Sequence, residues 1–172
     1  VRLYDTMMLV RVMDERLLRL QRQGRLGFYM TSTGEEACHL SVYPLRATDW
    51  VFPSYREPGA AFWRGYTVEN FVHQLFGNVK DPVKGRQMPV HHSAAWLNMV
   101  SISSPVGTQI PQAVGSAYAA KVMGKDDVSM VYFGEGTQML DFRTLQDHAA
   151  PHTRSNLLFK GAVEDEAHSV YS

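Results

Sequence analysis

Val128-Ser129-Met130-Val131-Tyr132-Phe133-Gly134-Glu135-Gly136 is the stretch on which the fold turns. Its first six residues are β-favouring and almost continuously apolar, which suits a strand covered on both faces of a parallel sheet. A glutamate held between two glycines follows at once. In open α/β sheets, ligands bind beyond the carboxyl ends of the strands, so this turn stands where a ligand would be met. Glycines let the backbone approach a diphosphate, and a carboxylate there can hold the divalent cation that neutralises it. The same three residues also fit an ordinary strand-to-helix turn with a solvated glutamate.

Upstream, Lys125-Asp126-Asp127 reads as a turn. Before it, Gln112 to Ala120 reads as a helix with Pro111 in its first turn and small residues on one side. Gly115, Ala119 and Met123 form a face suited to close backbone packing, either in the core or between subunits. Asp49-Trp50-Val51-Phe52 predicts a short strand ending at Pro53. Leu3, Met7, Val10, Leu17 and Leu20 recur at helical spacing from the start of the chain, with Gly24 as the stop. A second helical stretch opens at Gly34-Glu35-Glu36-Ala37 and includes Leu40 and Val42. The Thr67 hydroxyl is placed to cap a helix running to Phe76. Asn78 to Ser104 shows little periodicity and reads as a long ordered loop. Helices alternating with buried strands predict an α/β fold with a parallel sheet flanked by helices.

The 172 residues, 45% of them apolar, suffice for one core, so 1–172 reads as a single domain. Seventeen basic and seventeen acidic residues cancel, which gives no electrostatic case for nucleic acid or an anionic membrane. No apolar run reaches the ~18 residues of a spanning helix. The single cysteine, Cys38, excludes an internal disulfide and reads as a small buried apolar residue. A chain that opens directly into helical periodicity without methionine is expected to begin inside a longer protein.

Further candidates for chemistry lie in loops. Tyr55-Arg56-Glu57 offers a guanidinium suited to bidentate phosphate contact beside a phenol donor, or else a surface Arg-Glu pair. Ser103-Ser104-Pro105-Val106-Gly107-Thr108-Gln109 gathers hard oxygen donors for a monovalent cation or a heterocycle, unless Thr108 or Gln109 only caps the following helix. His91 and His92 are adjacent and so cannot form the i, i+4 pair of a helical metal site. They read as structural or supporting residues, with proton transfer as the other possibility.

Taken in order, Gln21 to Arg25, Phe28-Tyr29-Met30-Thr31, Gly34-Glu35-Glu36, Tyr55-Arg56-Glu57, Gly85 to His91, Ile102 to Pro105, Thr108 to Gly115 and Tyr132 to Gly136 resemble the alpha subunit of branched-chain 2-oxo acid dehydrogenases. The match covers about residues 1–137. The resemblance implies a thiamine diphosphate-binding fold, incomplete at the C-terminus. It implies that Tyr55 and Arg56 hold the cofactor diphosphate, and that Glu135 coordinates its Mg2+ in a loop shaped by Gly134, Gly136 and Thr137. Ser104 and the main chain of Val106 would meet the aminopyrimidine, while Ser103, Pro105, Thr108 and Gln109 would bind K+. Phe28 would face the branched acyl group. The implied activity is oxidative decarboxylation of branched-chain 2-oxo acids, with acyl transfer to a lipoyl group on a partner acyltransferase. A beta subunit would supply the other wall of the site in an assembly of two alpha and two beta chains, in the bacterial cytoplasm or the mitochondrial matrix.

The tail, 138–172, departs from this pattern. Leu157-Leu158-Phe159 reads as a second strand, yet the asparagine pair that would complete the Mg2+ site does not follow it. Glu164 or Asp165 could replace that ligand, or could belong to a solvated acidic tail. A catalytically inactive or truncated subunit, acting in assembly or diphosphate binding, is therefore the alternative reading.

Overall fold

The computed structural model describes residues 1–134, together with the backbone of two short segments, 139–142 and 168–171. Helix α1 spans Arg2–Arg22 and ends where Gly24 turns at φ +71°. Its inward face is Thr6, Val10, Asp14 and Leu17. The expected stripe is thus rotated: Leu3 is exposed, and Met7 and Leu20 are only half-buried. The cause is Asp14, whose carboxylate accepts hydrogen bonds from Tyr29 Oη at 2.5 Å, Ser32 N at 2.7 Å and Thr33 Oγ1 at 3.1 Å. Burying a carboxylate is tolerable only with such partners, and they fix which face of α1 turns inward.

Helix α2 (Glu36–His39) continues as a 3-10 turn, Leu40–Val42, with Leu40 and Val42 buried as the apolar spacing requires. Helix α3 (Pro58–Arg64) starts with proline in its first turn and packs on α1 and α2. Gly59 permits that approach: a Cβ there would meet His39 Cβ at 2.9 Å and Val10 Cγ2 at 3.1 Å. Helix α4 (Val68–Phe76) is capped as read, with Thr67 Oγ1 accepting from Asn70 N at 3.1 Å. Helix α5 (Gln109–Val122) begins two residues before Pro111, which sits within the first turn where its missing N–H costs nothing. Cys38 is exposed, contrary to its expected burial.

Strand β1 (Trp50–Phe52) pairs in parallel with β2 (Ser129–Val131), matching Trp50 to Ser129, Val51 to Met130 and Phe52 to Val131. On its other side β1 meets the Asn98 to Val100 segment, also in parallel: Val51 N donates to Asn98 O at 2.9 Å, and Val100 N to Val51 O at 3.0 Å. Val51 is completely buried between them. Helix α5 packs on β1 and β2 through its Ala113 and Ala120 side. Gly115, Ala119 and Met123 face outward. The core gathers Leu17, Leu26, Val42, Val51, Phe71, Leu75 and Met99 around this sheet.

The arrangement is α/β with parallel pairing. Strand β2 is shorter than Val128 to Phe133, and its three residues are half-buried rather than covered on both faces. Among the described residues it has one paired neighbour, β1. In the tail, β3 (Met139–Phe142) pairs in parallel with β4 (His168–Tyr171). The expected Leu157-Leu158-Phe159 strand, and Glu164 and Asp165, lie outside the described residues. No helix among the described residues is long and apolar enough to cross a membrane.

Two histidines are buried with both ring nitrogens unpartnered among the described residues, His39 and His92. The His92 ring lies between Tyr66 and Phe71, with ring centroids at 5.3 and 5.7 Å. Burial pushes both imidazoles down to about 4, helped at His92 by His91 and opposed at His39 by Glu36. In the unfolded chain each takes a proton near pH 6.5, whereas the native rings stay neutral until about 4. Stability therefore falls as pH drops through that window, by ~3 kcal/mol for each ring at its acid end. His92→Phe removes one of these sites: urea denaturation at pH 7 and pH 5 should show a smaller acid loss for the variant than for the parent chain. An equal loss would mean that His92 does not titrate in this way.

Candidate functional site

Parallel pairing around Val51 sends three loops out at the same end of the sheet. Tyr55 lies four residues past Val51, Ser103 four past its neighbour Met99, and Gly134 four past its neighbour Met130. The sequence joins these strands through long connections, so the three candidate segments leave the sheet side by side only because register places them there. Gly134 ends the described part of its loop. Glu135, Gly136 and Thr137 lie outside the described residues.

Arg56 is half-buried, and its Nη1 donates to Thr31 O at 2.7 Å, with its guanidinium carbon 5.9 Å from the Tyr55 ring centroid. The Thr31 carbonyl is held in place from below. Asp14 binds Tyr29, Ser32 and Thr33 on either side of it, and Glu36 accepts from Arg11 Nε and from Gly34 N at 3.0 Å. Burial and then the Asp14 hydrogen bond push the Tyr29 phenol well above its usual range, so it stays a donor. Helix α1 thereby fixes the segment that orients Arg56. Phe28 opens the same segment and packs partly against the core.

Tyr55 faces the His91 ring, with centroids 6.1 Å apart and planes tilted by 34°. His91 Nδ1 bonds Pro89 O at 2.9 Å, and its Nε2 lies 2.8 Å from Ser104 Oγ. His91 is buried, while Ser104, Pro105 and Val106 are exposed. The turn into His91 passes through Val90 at φ +63°, a strained conformation for a buried β-branched residue. Gln109 is buried at the start of α5: its Nε2 reaches toward Ser103 O at 3.4 Å, and its Oε1 has no partner among the described residues. Thr108 precedes α5 without a side-chain capping bond, so the alternative of a simple helix cap is not what this loop does.

The alternative for Arg56, a surface pair with Glu57, is also not realised. Glu57 is buried and accepts Ser54 N–H at 2.8 Å. Burial pushes its carboxyl up to about 8 against that hydrogen bond, so at neutral pH it adds little negative charge beside Arg56. The cluster thus gathers the Arg56 guanidinium, the Tyr55 phenol, an exposed hydroxyl at Ser104 and, at Gln109, a buried amide oxygen with no partner among the described residues. Among the described residues no three His, Cys, Asp or Glu side chains converge as a metal-ion site. Asp14, Glu57 and the His91-Ser104 link were missed from sequence. An acidic residue inside a helical apolar stripe was the available signal for the first.

Residues 4–139 match the family described as Dehydrogenase E1 component. Curated relatives include the mitochondrial 2-oxoisovalerate dehydrogenase subunit alpha of Dictyostelium discoideum, 45% identical over 161 residues, or 92% of this chain and 36% of the relative. The corresponding proteins of Caenorhabditis elegans and Homo sapiens are 50% and 51% identical over 79% of the chain, covering 32% and 31% of their own lengths. The chain spans about a third of the length of the curated relatives it matches.

Glu57 gives this cluster a measurable pH signature. An unfolded glutamate ionises near 4.5 and the native one near 8, so native stability is lost as pH rises through that range, on the order of 5 kcal/mol in full. Glu57→Gln keeps the acceptor for Ser54 N–H and removes the titration. Its melting temperature should gain on the parent chain more at pH 9 than at pH 5; a gain independent of pH would show that Glu57 ionises normally.

Proposed function

The chain belongs to the dehydrogenase E1 component family, and from that membership we propose that it is the diphosphate-anchoring part of an alpha-type subunit of a branched-chain 2-oxo acid dehydrogenase. The observation that carries the reading is that the segments of Tyr55-Arg56, Ser103-Ser104 and Gly134 leave a parallel sheet at the same end. A diphosphate needs donors there. Arg56, oriented by Thr31, and the neighbouring Tyr55 phenol supply them.

The polar groups at Tyr55, Arg56 and Ser104 suit thiamine diphosphate. Tyr55 and Arg56 hold the diphosphate; Glu135, within the loop of Gly134, Gly136 and Thr137, holds the Mg2+. Ser104 and the main chain of Val106 meet the aminopyrimidine. Oε1 of Gln109, buried and without a donor among the described residues, supports K+ binding, with Ser103, Pro105 and Thr108 as the remaining ligands, because such an acceptor suits a cation. Thiamine diphosphate supplies the electron sink for loss of carbon dioxide from a 2-oxo acid, and this chain anchors and orients it. Phe28 is the residue that would face the branched acyl group.

Ser104, Pro105 and Val106 are exposed, which supports a second wall contributed by a beta subunit in a two-alpha, two-beta assembly. The acyl group passes from that assembly to a lipoyl-bearing acyltransferase. The relatives carry mitochondrial names, which favours the mitochondrial matrix over the bacterial cytoplasm as the place of action. A second reading, a subunit kept for assembly or diphosphate binding without catalysis, is favoured by one observation: no asparagine pair follows Leu157-Leu158-Phe159.

Titration of the chain, alone and with its beta-type partner, with thiamine diphosphate and Mg2+ should give saturable binding. Arg56→Lys, which loses bidentate contact, should weaken it about tenfold or more. Absence of saturation in both preparations would sink the proposal. Decarboxylation of 3-methyl-2-oxobutanoate by the reconstituted pair would remove the assembly-only reading.

A further inference from the structure

Resting on the thiamine diphosphate reading, we infer that His91 is a positioning residue that sets the polarity of the Ser104 hydroxyl, so that Ser104 presents an acceptor to an amino group of the ligand. The argument begins at Pro89. A carbonyl oxygen only accepts, so the 2.9 Å bond between Pro89 O and His91 Nδ1 requires the proton on Nδ1. In the neutral ring Nε2 is then an acceptor. At 2.8 Å its donor is the Ser104 hydroxyl, because the hydroxyl carries the only hydrogen available between the two atoms. With that hydrogen committed, the exposed side of Ser104 Oγ carries lone pairs alone.

The arrangement is held rigidly enough to matter. His91 is buried, its ring lies against Tyr55, and its backbone N–H closes a turn onto Met88 O at 3.1 Å. Val90 at φ +63° makes that turn. One imidazole therefore touches Tyr55 on the phosphate-binding side and Ser104 on the heterocycle-binding side. An aminopyrimidine, which donates from its amino group, matches an acceptor-only Ser104. An analogue with a carbonyl at the same ring position does not, since two acceptors would then face each other.

The test compares thiamine diphosphate with oxythiamine diphosphate, in which oxygen replaces that amino group, by direct binding at mildly alkaline pH with Mg2+ and the beta-type partner. The parent assembly should prefer the amino form by tenfold or more. His91→Phe keeps the ring against Tyr55 but frees the hydroxyl to rotate. It should bring the two affinities to within about threefold while leaving the affinity for inorganic pyrophosphate unchanged, and His91→Gln, with an amide oxygen near the Nε2 position, should restore the preference. Ser104→Ala, at an exposed position, should abolish the preference and so tests the inference even if His91→Phe fails to fold. A preference retained in His91→Phe or in Ser104→Ala, or a proportional loss of all three ligands in His91→Phe, would overturn it. A parent that binds both thiamine forms equally overturns this inference alone. One that binds neither removes the functional reading with it.

Discussion

Everything at the candidate site depends on the parallel register about Val51. This residue is sealed between Met130 on one side and Met99 on the other, and its amide and carbonyl both bond to the Asn98 to Val100 segment. A slip of one residue would reverse which side chains face the core and would shift Tyr55 against Ser103 and Gly134. Hydrophobic burial at this strand thus sets the positions of polar groups several residues away.

The opposite end of the sheet is closed by polar bonds. Asp49 accepts from Arg46 N and from Val128 N, which joins the entrances of β1 and β2, and those bonds with the Arg46 guanidinium hold its carboxyl below the usual range although burial opposes it. Arg64 donates to the carbonyls of Arg46, Ala47, Asp49 and Leu97, which joins the third segment to the same entrance. Locking one end leaves the carboxyl end to carry loops chosen for ligand chemistry. The groups that hold the strands, Asp49, Arg46 and Arg64, thus lie apart from the candidate site.

The α/β class, the Thr67 cap, the Gly24 stop and the short strand at Trp50 were legible because each rests on local chemistry or periodicity. What stayed hidden needed contacts between distant segments. Asp14 looks like one more surface acid until Tyr29, Ser32 and Thr33 are seen to fold onto it. Glu57 reads as a partner for Arg56, yet the start of α3 carries it into the interior. The half-buried state of β2 was misread because apolar composition records how a strand is best covered, without saying which neighbour covers it. Tyr55, Arg56 and Ser104 were named as candidates from the order of their motifs, while the His91 link between Tyr55 and Ser104 required coordinates.

The pairing of β1 with β2 has a consequence for how the molecule is made. Asp49 and Val128, which bond at the sheet entrance, are 79 positions apart. Such a contact carries a large loop-closure entropy and comes late in folding. During synthesis β1 is made well before β2, so Val51 waits with one flank open to water or to another chain. The interval before β2 pairs is therefore when this edge of β1 is most open to contact with a chaperone or another chain.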